Sequence, residues 1–361
     1  MTETRHTMKE TTAKTTIGPL ALSVIDESLH LSAGQLQTSA KNALLGTALL
    51  ILLVAPMVLQ GYFIGLLILA FIFSIFAISV DLVWGYAGIL TFGHAAFFGL
   101  GAYITVTVAT ELTVETIGLV GLTLAFVASA LVGGVIAGAL FARGISEEYF
   151  TIITLAVAIV ASQGAVILSN VTGGANGLSG IPSVGISIPG VLSYAVSGDQ
   201  FYFVALGALV AVFLVGKRIV NSPFGTVLVG IDENETKISS LGYDPTRYKT
   251  LVFALSTGVA GFAGALYALH SGFISPPILG FVLSTEVLIW VLIGGRGTLV
   301  GPAIGATILV LAENMFSGIF LSTWVLLLGA SLIVVVLVFP TGITGLFGIA
   351  EQKIISTIEN T

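Results

Sequence analysis

The sequence predicts an all-α polytopic integral membrane protein of about ten transmembrane helices, with both termini in the cytosol. Three observations lead there. Of 361 residues, 56% are hydrophobic and 8% charged, where an average soluble domain carries about 25% charged residues. The apolar residues gather into runs of roughly 20, the length that crosses a hydrocarbon core of about 30 Å at about 1.5 Å per residue. All 12 basic residues fall on one side of the membrane once the N-terminus is placed in the cytosol, as the positive-inside rule requires.

Residues 1–42 are polar, rich in Thr and Ser, and lack the short apolar core of a cleavable signal, so they read as a cytosolic tail. A membrane domain follows over residues 43–347, with candidate spans at 43–59, 62–80, 90–110, 117–141, 150–168, 201–215, 250–269, 281–293, 299–316 and 321–339. The third begins after the glycine-interrupted stretch Gly85-Tyr86-Ala87-Gly88, and the eighth is short before Gly294-Gly295. With the third and ninth re-entrant, the count becomes eight. The largest polar break, 217–249, holds Lys217, Arg218, Lys237, Arg247 and Lys249 around Asp232-Glu233-Asn234-Glu235, and reads as a cytosolic loop with a short helix over 232–241. Residues 169–200 and 270–279 carry no basic residue and read as exterior, with Gly173-Gly174-Ala175-Asn176-Gly177 forming a turn. Residues 348–361 read as a cytosolic C-terminal tail.

Zero cysteines exclude disulfides, thiol catalysis and Cys-based metal sites. Soluble-enzyme motifs are absent, and a P-loop fails because Ala211 stands where Gly216-Lys217 would need a glycine five residues ahead. No catalytic residue, metal site or bound cofactor is therefore expected in this chain, and no nucleic acid partner. Ionisable groups inside the membrane are costly and point to function. On that ground His94 and Glu286, with Phe97 and Trp290 beside them, are expected to line a translocation path; for His94 a helix–helix hydrogen bond is the alternative. Asp81 and Arg296, near predicted span ends, read as an interfacial cap and a snorkelled charge, and Glu313 as a polar helix end. Gly297, Gly301 and Gly305 recur every fourth residue and predict one bare helix face for close packing, with Leu299 facing outward.

Several stretches in order resemble the permeases of bacterial and archaeal ABC importers for branched-chain amino acids and for urea or short amides. They are Asp81-Leu82-Val83-Trp84-Gly85-Tyr86-Ala87-Gly88, Phe92-Gly93-His94-Ala95-Ala96-Phe97-Phe98-Gly99, Thr172-Gly173-Gly174-Ala175-Asn176-Gly177, Leu241-Gly242-Tyr243-Asp244-Pro245, Gly294-Gly295-Arg296-Gly297-Thr298-Leu299-Val300-Gly301 and Phe339-Pro340-Thr341-Gly342-Ile343. The resemblance implies a permease subunit working by alternating access in the plasma membrane of a prokaryote. It also implies a second homologous permease, two ATPase subunits that use ATP and Mg, and an extracellular substrate-binding protein as partners, besides the lipid bilayer. Asp232, Glu233, Asn234, Glu235, Leu241 and Gly242 are then expected at the ATPase contact. The segment departs from the family pattern, with Gly230-Ile231 before Asp232 and Ile238-Ser239-Ser240 in place of small alanines. Trp84-Gly85-Tyr86, Ile289-Trp290-Val291, the run Gly294-Gly295-Arg296-Gly297-Thr298-Leu299-Val300-Gly301 and Trp324 before Leu328-Gly329-Ala330 look more like the urea branch, so urea or short amides lead and branched-chain amino acids are the alternative. Two other classes compete. A passive urea or water channel needs no coupling segment, and an ion-coupled secondary transporter would work through a carboxylate such as Glu286.

Overall fold

The computed structural model describes residues 46–47, 49–111, 117–180, 185–188, 192–195 and 198–317, with Gly329 and Gly342. The tails expected over 1–42 and 348–361 lie outside them, as does all but Gly329 of the span expected over 321–339. The chain forms two compact units, the first ending at Val58. That unit contributes α1 (Leu49–Val58), a short apolar helix.

The second unit begins with α2 (Gly61–Ala87), α3 (His94–Glu111), α4 (Ile117–Phe141), α5 (Glu147–Ile167) and the single turn α6 (Ser169–Thr172). A 3-10 turn (Gly174–Asn176) and three short strands follow: β1 (Leu178–Ser179), β2 (Gly185–Ile188) and β3 (Leu192–Ala195). Then come α7 (Gly198–Val220), α8 (Pro223–Ser240), α9 (Pro245–Ser271), β4 (Phe273–Ile274), a 3-10 turn (Pro276–Leu279), α10 (Phe281–Gly294) and α11 (Val300–Ser317). Among the described residues five helices are long and apolar enough to cross a membrane: α2, α4, α5, α7 and α9. The 14 residues of α10 reach only about 21 Å at about 1.5 Å per residue, short of a full crossing.

The break at 217–249 is not a loop, which corrects the sequence expectation. Basic Lys217 and Arg218 are the last turn of α7, and α8 starts well before the short helix expected there. Pro223 opens α8 because its fixed φ and missing N–H suit a first helical position, and Val227, Leu228 and Ile231 give it a buried side. Pro245 opens α9 in the same way, so the seventh span starts at 245 rather than 250.

The core lies around α2 and α9, which are largely buried, whereas α4, α5 and α7 keep most of their surface outward. Helix α9 packs on α2, α3 and α4, and α2 also packs on α7, α10 and α11. Lipid supplies no hydrophobic drive between helices, so contact depends on close backbone approach and hydrogen bonds. A Cβ on Gly101 would strike the carbonyl of Gly261, and one on Gly264 the carbonyl of Phe98, so α3 and α9 meet backbone to backbone. Hydroxyls bridge other pairs. Ser74 Oγ donates to the Ala303 carbonyl (2.9 Å), Thr151 Oγ1 to Leu90 (2.9 Å) and Ser129 Oγ to Phe97 (3.2 Å).

The two ends of the bundle differ. At one, β1 pairs antiparallel with β4, Leu178 opposite Ile274, joining the two segments expected outside. At the other, ion pairs join the α4–α5 corner, α8, α9 and Arg296, the segments expected together in the cytosol.

Gly264→Leu is expected to lower stability by about 1–3 kcal/mol or more through overpacking. Gly207, with open space for 4 Å around the place a Cβ would take, should tolerate alanine or gain up to about 1 kcal/mol. Thermal unfolding of the two purified variants in detergent checks this; equal midpoints would remove the close-approach argument.

Candidate functional site

The polar end of the bundle is built on Asp81, six residues before the end of α2 and fully buried. A bare carboxylate there needs donors. They come from the turn joining α10 to α11: the Gly297 N–H donates to Oδ1 (2.6 Å) and the Leu299 N–H to Oδ2 (2.9 Å). The turn makes these N–H groups converge by alternating conformation. Gly295, Gly297 and Leu299 take positive φ (112°, 78° and 58°), forming a concave nest suited to an anion. Positive φ at leucine carries strain of order 1–3 kcal/mol, which the charged hydrogen bonds offset. Thr298 finishes the turn, donating to the Gly295 carbonyl (2.8 Å) and accepting from the Gly301 N–H (3.0 Å) at the start of α11.

This corrects three expectations. Asp81 is not an interfacial cap but the anchor of a backbone turn. Leu299 does not face outward; it is 3% exposed. Gly297 does not share a helix face with Gly301 and Gly305, because it lies in the turn before α11. For the other two, a Cβ on Gly301 would meet the carbonyls of Gly294 and Gly295, and one on Gly305 the Trp290 carbonyl, so α10 and α11 approach along backbone there.

Arg296 is no free snorkelled charge. Its Nε donates to the Trp84 carbonyl (2.9 Å), satisfying an orphan acceptor at the end of α2, and its guanidinium lies 5.4 Å from the Trp84 ring centroid. One terminal nitrogen reaches Asp232 of α8 at 3.4 Å. Gly88, which ends α2 at φ 74°, has no room for a Cβ because the Asp232 carboxylate occupies that place.

Helix α8 breaks at Asn234, whose φ of −162° and ψ of 94° are extended. Its side-chain oxygen accepts from the Lys237 N–H (2.8 Å), so it caps a second short helical piece. Ile238 folds back over Gly230, 2.6 Å from where a Cβ would stand. Across the break, Glu235 pairs with Lys249 of α9 (2.8 Å), and Lys249 also pairs with Glu147 of α5 (2.8 Å). The Lys249 side chain is 5% exposed and sits 5.6 Å from the Phe141 ring centroid. Beyond the second piece Leu241 is 67% exposed and Tyr243 45%, with Gly242 between them at φ 91°. Asp232, Glu233, Asn234 and Glu235, four of the expected coupling residues, are all exposed.

The four residues expected on a path are placed differently from one another. His94 is fully buried and hydrogen-bonds Ser256 of α9 through Nε2 (2.9 Å), while the Ser256 hydroxyl donates to the Ser79 carbonyl of α2. Ser256 must therefore accept from Nε2–H, which fixes the tautomer and ties α2, α3 and α9 together. That is the helix–helix alternative. Nδ1 has no protein partner among the described residues. Phe97 packs 5.8 Å from Phe253 and Trp290 4.9 Å from Phe73, ring centroid to ring centroid, both buried. Glu286 is half-buried on α10.

The pairing of Asp81 with the 297–299 turn, of Arg296 with Trp84 and of Lys249 with Glu147 was not read from the sequence. The signal was present in part. Lys249 continues the buried stripe Val252, Phe253, Ser256 and Ala260 at helical spacing, so a charge on that stripe demanded partners.

Asp81→Ala is expected to leave the Gly297 and Leu299 N–H groups without an acceptor, a loss of about 1–3 kcal/mol for each buried group. Asp81→Asn, which keeps one acceptor oxygen, should fall between. Thermal unfolding in detergent measures both; an Asp81→Ala variant as stable as the parent would show that the turn holds itself.

Comparison with known proteins bears on this geometry. Residues 62–336 match the family described as branched-chain amino acid transport system / permease component. The chain is 30% identical over 329 residues to the high-affinity branched-chain amino acid transport system permease protein LivM of Escherichia coli, covering 85% of this chain and 76% of that one. It is 29% identical over 328 residues to LivM of Salmonella typhimurium, with the same coverage. With the LivH permease protein of Salmonella typhimurium it shares 27% identity over 289 residues, 76% of this chain and 91% of that one. No solved structure gives a comparable match. The chain belongs to the family of branched-chain amino acid transport system permease components.

Proposed function

We propose that the chain is the permease subunit of an ATP-driven ABC importer for branched-chain amino acids, spanning the plasma membrane of a prokaryote. As a permease component it is a membrane subunit and not an enzyme. The observation that carries the mechanism is the bent helix α8 with its exposed apolar tip at Leu241 and Tyr243, held by ion pairs to Lys249 of α9 and to Arg296 of the α10–α11 turn. Such a tip offers one of two ATPase subunits, which use ATP and Mg, a small apolar contact on a braced support. A second homologous permease completes the path, and an extracellular binding protein delivers the solute. Within this chain Glu286, the half-buried member of the four path candidates, borders that path, and His94, Phe97 and Trp290 brace the helices behind it.

The lean toward urea gives way to the alternative, because the LivM and LivH relatives are branched-chain amino acid permeases by name. Urea and a zwitterionic amino acid are both net neutral, but the ammonium and carboxylate of the amino acid each need polar partners in the path.

Reconstituted with its ATPase and binding-protein partners, the complex is expected to take up leucine, isoleucine and valine only with ATP, and excess urea should not compete. Urea uptake without leucine uptake would overturn the substrate. Uptake without ATP would identify a channel, and uptake abolished by an ionophore at constant ATP a secondary transporter. Leu241→Asp should weaken ATPase association by about tenfold or more, as for an interface anchor. A cysteine at exposed Ser239 should react with an impermeant maleimide only after the cells are permeabilised; labelling of intact cells would invert the topology.

A further inference from the structure

We propose that Asn234 is a hinge that divides α8 into two separately anchored pieces, so that movement at the Leu241–Tyr243 tip is delivered to two groups of membrane helices through two releasable ion pairs. The proposal rests on the coupling reading of α8. The first piece carries Asp232 near its end, which reaches Arg296 and through it the α2 end and the turn held by Asp81. The second piece starts at Glu235, which reaches Lys249 and through it α9 and the start of α5. Acids only three residues apart thus pull toward different parts of the bundle, and the one residue with non-helical backbone in α8 lies between them. Hinges are commonly a few such positions that absorb a dihedral change.

Each cation has a second partner that does not belong to α8. When Glu235 leaves, Lys249 remains paired with Glu147, so no buried charge is stranded, the outcome that makes breaking a buried pair so unfavourable. When Asp232 leaves, Arg296 keeps its bond to the Trp84 carbonyl. The departing acids are themselves open to water, 38% exposed for the Asp232 side chain and 51% for Glu235, so both can be rehydrated. The two clamps differ in strength. The Glu235 pair is 2.8 Å long and its lysine buried; the Asp232 pair is 3.4 Å and its arginine 38% exposed. The Asp232 clamp therefore yields first, and the Glu235 clamp carries the greater share of the stroke to α5 and α9.

The test uses the full complex in proteoliposomes and reads solute carried per ATP hydrolysed. Glu235→Gln and Asn234→Ala should still assemble with the ATPase subunits but lower that ratio by about 2- to 30-fold, the range of a coupling change of 0.5–2 kcal/mol. Asp232→Asn should lower it less. Asn234→Ser, which restores a capping oxygen, and Glu235→Asp, which restores the charge, should recover most of it. A parental ratio in both Glu235→Gln and Asn234→Ala overturns the proposal, and so does loss of the ATPase subunits in both, which would make these residues docking contacts. Leu241→Asp separates the underlying reading: if it binds the ATPase and transports normally, the coupling role of α8 falls and the hinge with it. If Leu241→Asp releases the ATPase while the ratios stay parental, only the hinge is wrong.

Discussion

A buried carboxylate governs the polar end of this protein. Asp81 is enclosed in α2 and cannot remain charged there without donors, so the α10–α11 turn must present its backbone N–H groups inward. That demand sets the conformation of residues 295–299, including a leucine at positive φ, and fixes where α11 starts. It also aims Arg296 at the end of α2 and at Asp232, which sets the seat of α8. The close approach of Gly85 and Gly88 to this cluster belongs to the same constraint.

The rest of the bundle is held by different means. Burying apolar side chains against one another gains little when lipid is the alternative, so helices are joined by direct backbone contact and by hydroxyls donating to neighbouring carbonyls. Ser74, Ser129, Thr151 and Ser256 each tie a helix to another part of the chain, and the backbone contacts of α3 on α9 and α10 on α11 supply the dispersion that shape permits. His94 joins this system as a donor to Ser256 rather than as an open polar group. The strongest charges are kept at one end, where partner exposure lets them be exchanged.

Rigidity and release are thus separated in space. The interior uses short, directional contacts that leave no slack, while α8 is held by pairs whose acids reach water. A lever on an importer needs both properties: a support stiff enough to transmit motion, and attachments weak enough to be remade in each cycle.

Much of the architecture was legible in the sequence. Long apolar runs and the placement of twelve basic residues specify membrane helices and which segments share a side, because a bilayer admits few alternatives. The 117–141 span was read to the residue. Helix ends were harder, since Pro223 and Pro245 open helices inside what looked like a polar loop. The partners of the charges were not legible at all. Asp81 and the turn at 297–299 stand more than 200 positions apart, as do Trp84 and Arg296, while Glu147 and Lys249 are separated by 102. Composition and periodicity report which groups must be buried or solvated along one helix, because those are local properties. Which buried acid meets which backbone N–H depends on how separate helices cross, and only the tertiary structure decides that.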